Sequence, residues 1–320
     1  MRNFMRSLVF AAAALLAASS IAQEKINLSI GTGGTGGVYY PLGGGIANVL
    51  SKYVPGMQAT AEVTGGSVDN LKLIGSGKPY IGLAMADASQ DALQGEGKFK
   101  GNKVPLATLM VLYTNHMHVV TVEGTGINSI KDLKGKRVST GSPGSATEVM
   151  AFRVIEAAGL DPLKDMTRER LGVAESVNAI KDKKIDAFFW VGGLPTAAVT
   201  DLAATPGVRI KLVDHAELVP AMNKKYGNLY IQDVIPKTTY SGMTADNKQA
   251  SVANILVTHE KMSNQTAYNI VKTIFDKRDE LIQVHKEAAN FRIENQSPAA
   301  SPVPFHPGAI KYFKEKGAKF

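Results

Sequence analysis

The 320-residue sequence has no cysteine, a single tryptophan (Trp190) and six histidines. Without cysteine there are no disulfides, and no lipid can be attached to a cysteine at a processed N-terminus. The folded chain must be held by its core alone, which suits large domains better than small ones. After residue 22 no stretch approaches 18 uninterrupted apolar residues, so nothing there reads as a membrane-spanning helix. Charge of one sign is also never concentrated. The formal net charge is +8, but lysines such as Lys98/Lys100/Lys103, Lys181/Lys183/Lys184 and Lys311/Lys314/Lys316/Lys319 are scattered and lack interleaved aromatics. Such runs are solvated helix faces, which argues against a nucleic-acid partner and for at most a mild attraction to anions.

The one long apolar run lies at the start. Arg2 and Arg6 precede LVFAAAALLAA, and Ser20-Ile21-Ala22 puts small residues at the −3 and −1 positions of a cut after Ala22. This layout predicts a secretory signal peptide over residues 1–22 and a periplasmic protein without a lipid anchor. Cleavage would remove two arginines and leave 298 residues with net charge +6, enough for two lobes.

Catalytic constellations are missing as well. His116-x-His118 has neither cysteine nor a carboxylate pair beside it to complete a metal site. GSGKP at 75–79 lacks the upstream glycine and the Ser/Thr of a P-loop, and GSPGS at 141–145 is not G-x-S-x-G. No nucleophile, base and orienting acid stand out together. The sequence makes no case for an enzyme, a metal or a cofactor.

What is present is a repeated unit: a short β-rich run, a turn of glycine and hydroxyl residues, then an amphipathic helix. INLSIGTGGTGG leads to a helix near Pro41–Tyr53, and MQATAEVTGG to one starting at Ser67. YIGLAMAD leads to ASQDALQG, KRVSTGSPG to SATEVMAFRVIEAAG with Gly159 as the stop, and KIDAFFWVGG to LPTAAVTDLAA with Pro195 in the first helical turn. Alternation of this kind predicts an α/β fold with mainly parallel sheets and helices on both faces. Its turns gather at the carboxyl edges of the strands, where ligands bind. Two β-rich stretches could cross between lobes, 109–122 and a segment between 214 and 251. The expected division is residues 23–117 with 215–320 as a discontinuous first lobe, and 118–214 as the second.

These five turns contain neither lysine nor arginine. Helix N-termini bind anions through unpaired N–H groups and a partial positive charge. Thr32, Thr35, Ser67, Ser142, Ser145 and Thr147 add hydroxyl donors beside them. A phosphate-rich ligand would draw a basic residue, whereas a carboxylate is satisfied by these groups alone. Glu62, Asp69, Asp87 and Glu148 lie near enough to meet an ammonium, which would suit an amino acid or a dicarboxylate. Each residue also has a purely structural role open to it. Ser67 and Ser145 are good N-caps, Asp87 could cap a helix at 88, Tyr39 and Tyr40 could pack a cleft wall, and Trp190 could be core.

GTGGTGG, residues 31–37, also matches G-x-G-x-x-G. Three features argue against a dinucleotide: the late helix start at Pro41, Glu62 lying 26 residues beyond Gly36 instead of about 20, and an exported chain's lack of a nicotinamide supply.

In order along the chain, GTGGTGGVYYPLGGGIA, EVTGGSVDNL, GLAMADA, GSPGSATE, DAFFWVGGLPTAA, ILVTHE and HPGAIKYFKEKG resemble the successive motifs of the TAXI family. Its members are the solute-binding proteins of TRAP transporters. The resemblance implies a two-lobed periplasmic-binding-protein fold of type II, with the ligand in the interlobe cleft. It also implies a monomer that hands a small carboxylate solute such as glutamate to an ion-gradient-driven TRAP permease. By motif, the ligand-facing positions would be Thr32, Gly33, Thr35 and Tyr39, then Ser67 and Asn70, then Asp87. In the middle lobe they would be Ser142, Gly144, Ser145, Thr147, Trp190 and Gly192. Two stretches depart from the family pattern: Tyr240-Ser241-Gly242, where tyrosine–proline–glycine is usual, and Thr114-Asn115, where proline and an acid are common. Either could reshape a cleft wall, so the solute's identity does not carry over. The same module could instead present its ligand to a sensor protein.

Overall fold

The computed structural model describes residues 25–78 and 80–320, so the expected signal peptide lies outside the described residues. The elements run β1 (Ile26–Gly31), α1 (Tyr39–Tyr53), β2 (Met57–Glu62), α2 (Ser67–Gly75), β3 (Tyr80–Met85), α3 (Ala86–Gln94) and β4 (Leu106–Val122). After these come β5 (Arg137–Ser139), α4 (Ala146–Ala157), β6 (Thr167–Glu169), α5 (Val173–Lys181), β7 (Ala187–Gly192), α6 (Ala197–Ala203) and β8 (Ile210–Leu212). The chain ends with α7 (Val219–Tyr226), β9 (Tyr230–Ile235), β10 (Asn247–His259), α8 (Asn264–Asp276), α9 (Arg278–Val284) and α10 (Pro307–Glu315).

The predicted strand–turn–helix units form where the residue pattern calls for them. In α1 the buried side chains Leu42, Ile46, Val49 and Leu50 repeat at helical spacing, and α4 stops before Gly159, whose φ is +83°. Two boundaries differ from the sequence reading. Helix α1 starts at Tyr39, so Pro41 is its third residue, a position where a missing N–H still costs no helical bond. Helix α6 is capped at Thr196, which leaves Pro195 outside it.

The strands follow the order β2-β1-β3-β10-β4-β7-β5-β6, with β8 on β4 and β9 on β10. Pairings within β1–β3 and within β5–β7 are parallel, as the alternation predicts. The expectation of mainly parallel sheets is corrected at the centre, because β4 and β10 pair antiparallel with each other and with every neighbouring strand. Neither strand is followed by a crossover helix of the repeated unit. Strand β4 has 17 residues, roughly 55 Å of extended chain, and serves both ends of the sheet. Its first part, from Leu106, pairs with β10, and its last part, from His116, pairs with β7 and β8. Strand β10 divides in the same way: Asn247–Val252 pair with β9 and Asn254–Thr258 with β3.

Residues 215–246 stay beside the first part of β10. Strand β9 pairs there, and Lys225 and Tyr226 of α7 bond to Glu156 of α4. The largest core packs α1, α2, α4 and α8–α10 against the sheet, and a second core joins α5 and α6 to Phe188 and Val120. Among the described residues no helix is long and apolar enough to cross a membrane.

Candidate functional site

The carboxyl ends of β1–β3 and of β5–β7 face one another across a cavity of about 370 Å³. One wall comes from the turns after β1 and β2 with Met85. The other comes from the turns after β5 and β6 with the end of β7. The turns also touch directly. Asp69 N–H donates to Gly144 O (3.1 Å), the Ser142 hydroxyl to Gly65 O (3.0 Å) and Ala198 N–H to Gly36 O (3.3 Å). Glycine is required at this meeting point. A Cβ on Gly65 would lie 2.2 Å from Pro143 O, and Gly144, at φ +76°, has Asp69 within 2.3 Å of where its Cβ would be.

Two helices begin at the cavity, one on each side. The first turn of α2 starts at Ser67, whose hydroxyl accepts from Met85 N–H (3.1 Å). The first turn of α4 starts after Ser145, whose hydroxyl accepts from Glu148 N–H (3.1 Å) and donates to Ser142 O (2.7 Å). Ser145 is therefore a complete N-cap, whereas the Ser67 hydroxyl accepts from outside its own helix and has the Tyr39 hydroxyl beside it. Thr147 accepts from Val191 N–H (3.3 Å) and keeps a proton. First-turn N–H groups of both helices have no intrahelical acceptor, so the cavity lies between two partial positive charges.

Of the positions expected at the ligand, Gly33, Tyr39, Ser67, Ser142, Ser145, Thr147, Trp190 and Gly192 line this cavity. The other five lie elsewhere. Thr32 is buried, with its hydroxyl on Glu62 O (2.6 Å). Thr35 is exposed. The Asn70 amide ties Thr32 O to Leu83 O (2.7 and 2.8 Å), and Gly144 serves the contact between the turns. Asp87 is fully buried and accepts from Tyr230 (2.8 Å), with Arg153 3.6 Å away. Burial pushes Asp87 above the usual carboxylate range despite the guanidinium.

The acids expected to meet an ammonium are engaged too. Glu62 accepts from Tyr80, and Asp69 from Gly65 N–H. Glu148, 1% exposed at its side chain, takes Lys98 (2.8 Å), Arg168 (3.0 Å) and Arg170 (2.8 Å). Burial would raise its pKa, but hydrogen bonds from Lys98 and Arg170 outweigh that and hold it below the usual range. Tyr39 donates to Asn254 on β10 (2.9 Å) and accepts from Asn115 on β4 (3.4 Å), so the departure at Thr114-Asn115 falls directly under the cavity.

Sequence reasoning missed two charged cavity residues, Arg170 and Glu175. They belong to a sixth unit, β6–turn–α5, whose strand has only three residues and gives no β-rich run to notice. Its turn, Arg170-Leu171-Gly172, does carry a base. Apolar side chains fill much of the remaining wall, among them Val38, Val63, Met85, Val173 and Val191.

The sequence profile of the NMT1-like family matches residues 30–317. Among solved structures, the periplasmic binding protein BugD superimposes with a TM-score of 0.54 at 14% identity, over 82% of this chain and 86% of its own. A protein from Bordetella bronchiseptica RB50 gives 0.52 at 19% identity, over 91% and 82%. A structure described as a periplasmic transporter gives 0.51 at 12%, over 92% and 93%. These similarities show the fold, an α/β architecture of the two-lobed periplasmic-binding-protein kind.

Proposed function

The chain belongs to the NMT1-like family, and on that premise we propose that it is a periplasmic solute-binding protein for a small carboxylate-bearing solute. The observation that carries this reading is the pair of helix N-termini, α2 and α4, that open from opposite lobes onto one cavity with Arg170 beside it. A carboxylate between them would take hydrogen bonds from Ser67, Thr147 and first-turn N–H groups. Each bond to a charged group is worth about 1.5–3 kcal/mol, so three or four, less ordering costs, suffice for micromolar binding at roughly −8 kcal/mol.

We place the lobe crossings in β4 and β10. The first lobe then holds β1–β3 with the C-terminal helices. The second lobe holds β5–β9, including residues 215–246, which the sequence reading had given to the first; their pairing with the early part of β10 supports the change. Ligand bridging both lobes would favour the closed form, and a TRAP-type permease driven by an ion gradient would recognise that closed surface. The resemblance to the TAXI family supports this partner, and glutamate, glutamine and dicarboxylates as the first solutes to try.

Thermal shift on the mature protein, refolded to strip carried-over solute, tests the reading. A carboxylate at about 100 times its Kd adds roughly 2.7 kcal/mol, a rise of several degrees. A response to NAD alone would overturn it.

A further inference from the structure

We infer that the solute is a monocarboxylate with an apolar body and no ammonium group, held at its carboxylate by Arg170; this rests on the carboxylate-binding reading above. The argument begins with what the cavity offers a ligand. Ser67, Thr147 and the first-turn N–H groups of α2 and α4 are donors, and Arg170 is a cation that lines the same space. All of these suit an anion. An α-ammonium needs acceptors, preferably a carboxylate within the cavity. Asp87, Asp69 and Glu148 do not line it, and each already holds a protein donor. Among the described residues Glu175 is the one carboxylate on the wall, and it is an exposed residue, where water already satisfies it.

Glu148 explains how one arginine can act on the ligand while paired. The buried carboxylate is shared among Lys98, Arg168 and Arg170, so one negative charge faces three positive ones and the cluster keeps an excess of two. Arg170 bonds Glu148 mainly through Nε, at 2.8 Å; the second contact, from Nη2, is 3.5 Å. Its terminal nitrogens therefore retain donors, and Glu148 fixes the guanidinium beside the first turn of α4. Glu148 is a positioning residue here.

Away from these donors the side chains on the wall are largely apolar. Val38, Val63, Met85, Val173, Val191 and the ring of Trp190 surround the remaining space. The Trp190 N–H is already donated to Thr196 (2.8 Å). A second carboxylate placed against these groups would lose its water without replacement, whereas an alkyl or aryl body gains by leaving water. Affinity should rise about fourfold for each methylene buried.

Calorimetry on the refolded mature protein tests this with matched ligands. The panel pairs 4-methyl-2-oxopentanoate with leucine and phenylpyruvate with phenylalanine. It adds the straight-chain acids from acetate to octanoate, together with glutamate, succinate and 2-oxoglutarate. We expect each oxo acid to bind at least tenfold tighter than its amino acid. Straight-chain acids should tighten severalfold per carbon until the cavity is full, and Arg170→Met should weaken the best acid at least tenfold without lowering Tm by a comparable margin. Amino acids that match their oxo acids, or dicarboxylates that bind tighter than all monocarboxylates, would overturn the inference and leave the carboxylate-binding reading standing. No heat from any carboxylate would overturn both.

Discussion

Ser67 and Ser145 each stand at the start of a helix on the cavity, yet their hydroxyls are engaged differently. Ser145 caps α4 and returns its proton to Ser142 O. Ser145→Ala should therefore cost about 0.5–2 kcal/mol of stability in urea denaturation and change solute affinity little. Ser67 lines the cavity, accepts from Met85 N–H and lies beside the Tyr39 hydroxyl. Ser67→Ala should weaken carboxylate binding by about 1–3 kcal/mol in calorimetry; unchanged affinity would remove it from the site. The sequence could name both serines but could not separate them, because an N-cap and a ligand donor call for the same residue at the same place. The same limit applies to Asp87 and Glu148. Their position in the chain shows that they reach the carboxyl edge of the strands, but their partners Arg153, Tyr230 and Arg168 lie on other elements and meet them only in the folded chain.

At the level of elements, α3 and α4, which the proposed division puts in different lobes, are joined by one buried cluster. Arg153 of α4 reaches Asp91 (2.6 Å) and lies 3.6 Å from Asp87, both on α3, and donates to Tyr230 of β9 (2.7 Å). Removing one member of such a cluster strands the others in a poor solvent. Arg153→Met should destabilise the fold by about 3–5 kcal/mol in denaturant unfolding, with partial recovery when Asp87→Asn and Asp91→Asn are added. A loss below about 1 kcal/mol would show that the cluster is solvated. The strand–turn–helix units were legible in sequence because glycine and hydroxyl residues punctuate them. Unit β6–α5 was not, because three residues carry no periodicity, and with it Arg170 was missed. Nor could local pattern show that β10 runs antiparallel between β3 and β4; that pairing is between segments more than 130 residues apart.

For the whole molecule, buried histidines shape the response to acid. His118 is fully buried, and burial lowers its pKa to about 3; burial also lowers His116 and His215. The unfolded chain takes up these protons from about pH 6.5 downward, while the folded chain takes them up only at lower pH, near 3 for His118. Stability is therefore fully present above about pH 6.5 and falls as pH drops through the window down to about 3. For His118 the slope is at most roughly 1.4 kcal/mol per pH unit. Urea unfolding at pH 7, 6 and 5 measures this, and a flat profile would contradict neutral buried histidines.

Closure is the other whole-molecule property. Tyr39 hangs from Asn115 on β4 and Asn254 on β10, so the cavity floor is tied to both strands in which we place the lobe crossings. At the edge of the cavity Gly65 approaches Pro143 closely. Gly65→Ala should hold the lobes apart and weaken binding without unfolding either lobe.

Small-angle scattering on the ligand-stripped mature protein tests the central claim, without and with saturating amounts of the carboxylate that gives the largest thermal shift. Capture between two lobes predicts a smaller radius of gyration with solute for the wild type, and little change for Gly65→Ala. A carboxylate that binds tightly and leaves the wild-type radius unchanged would contradict it.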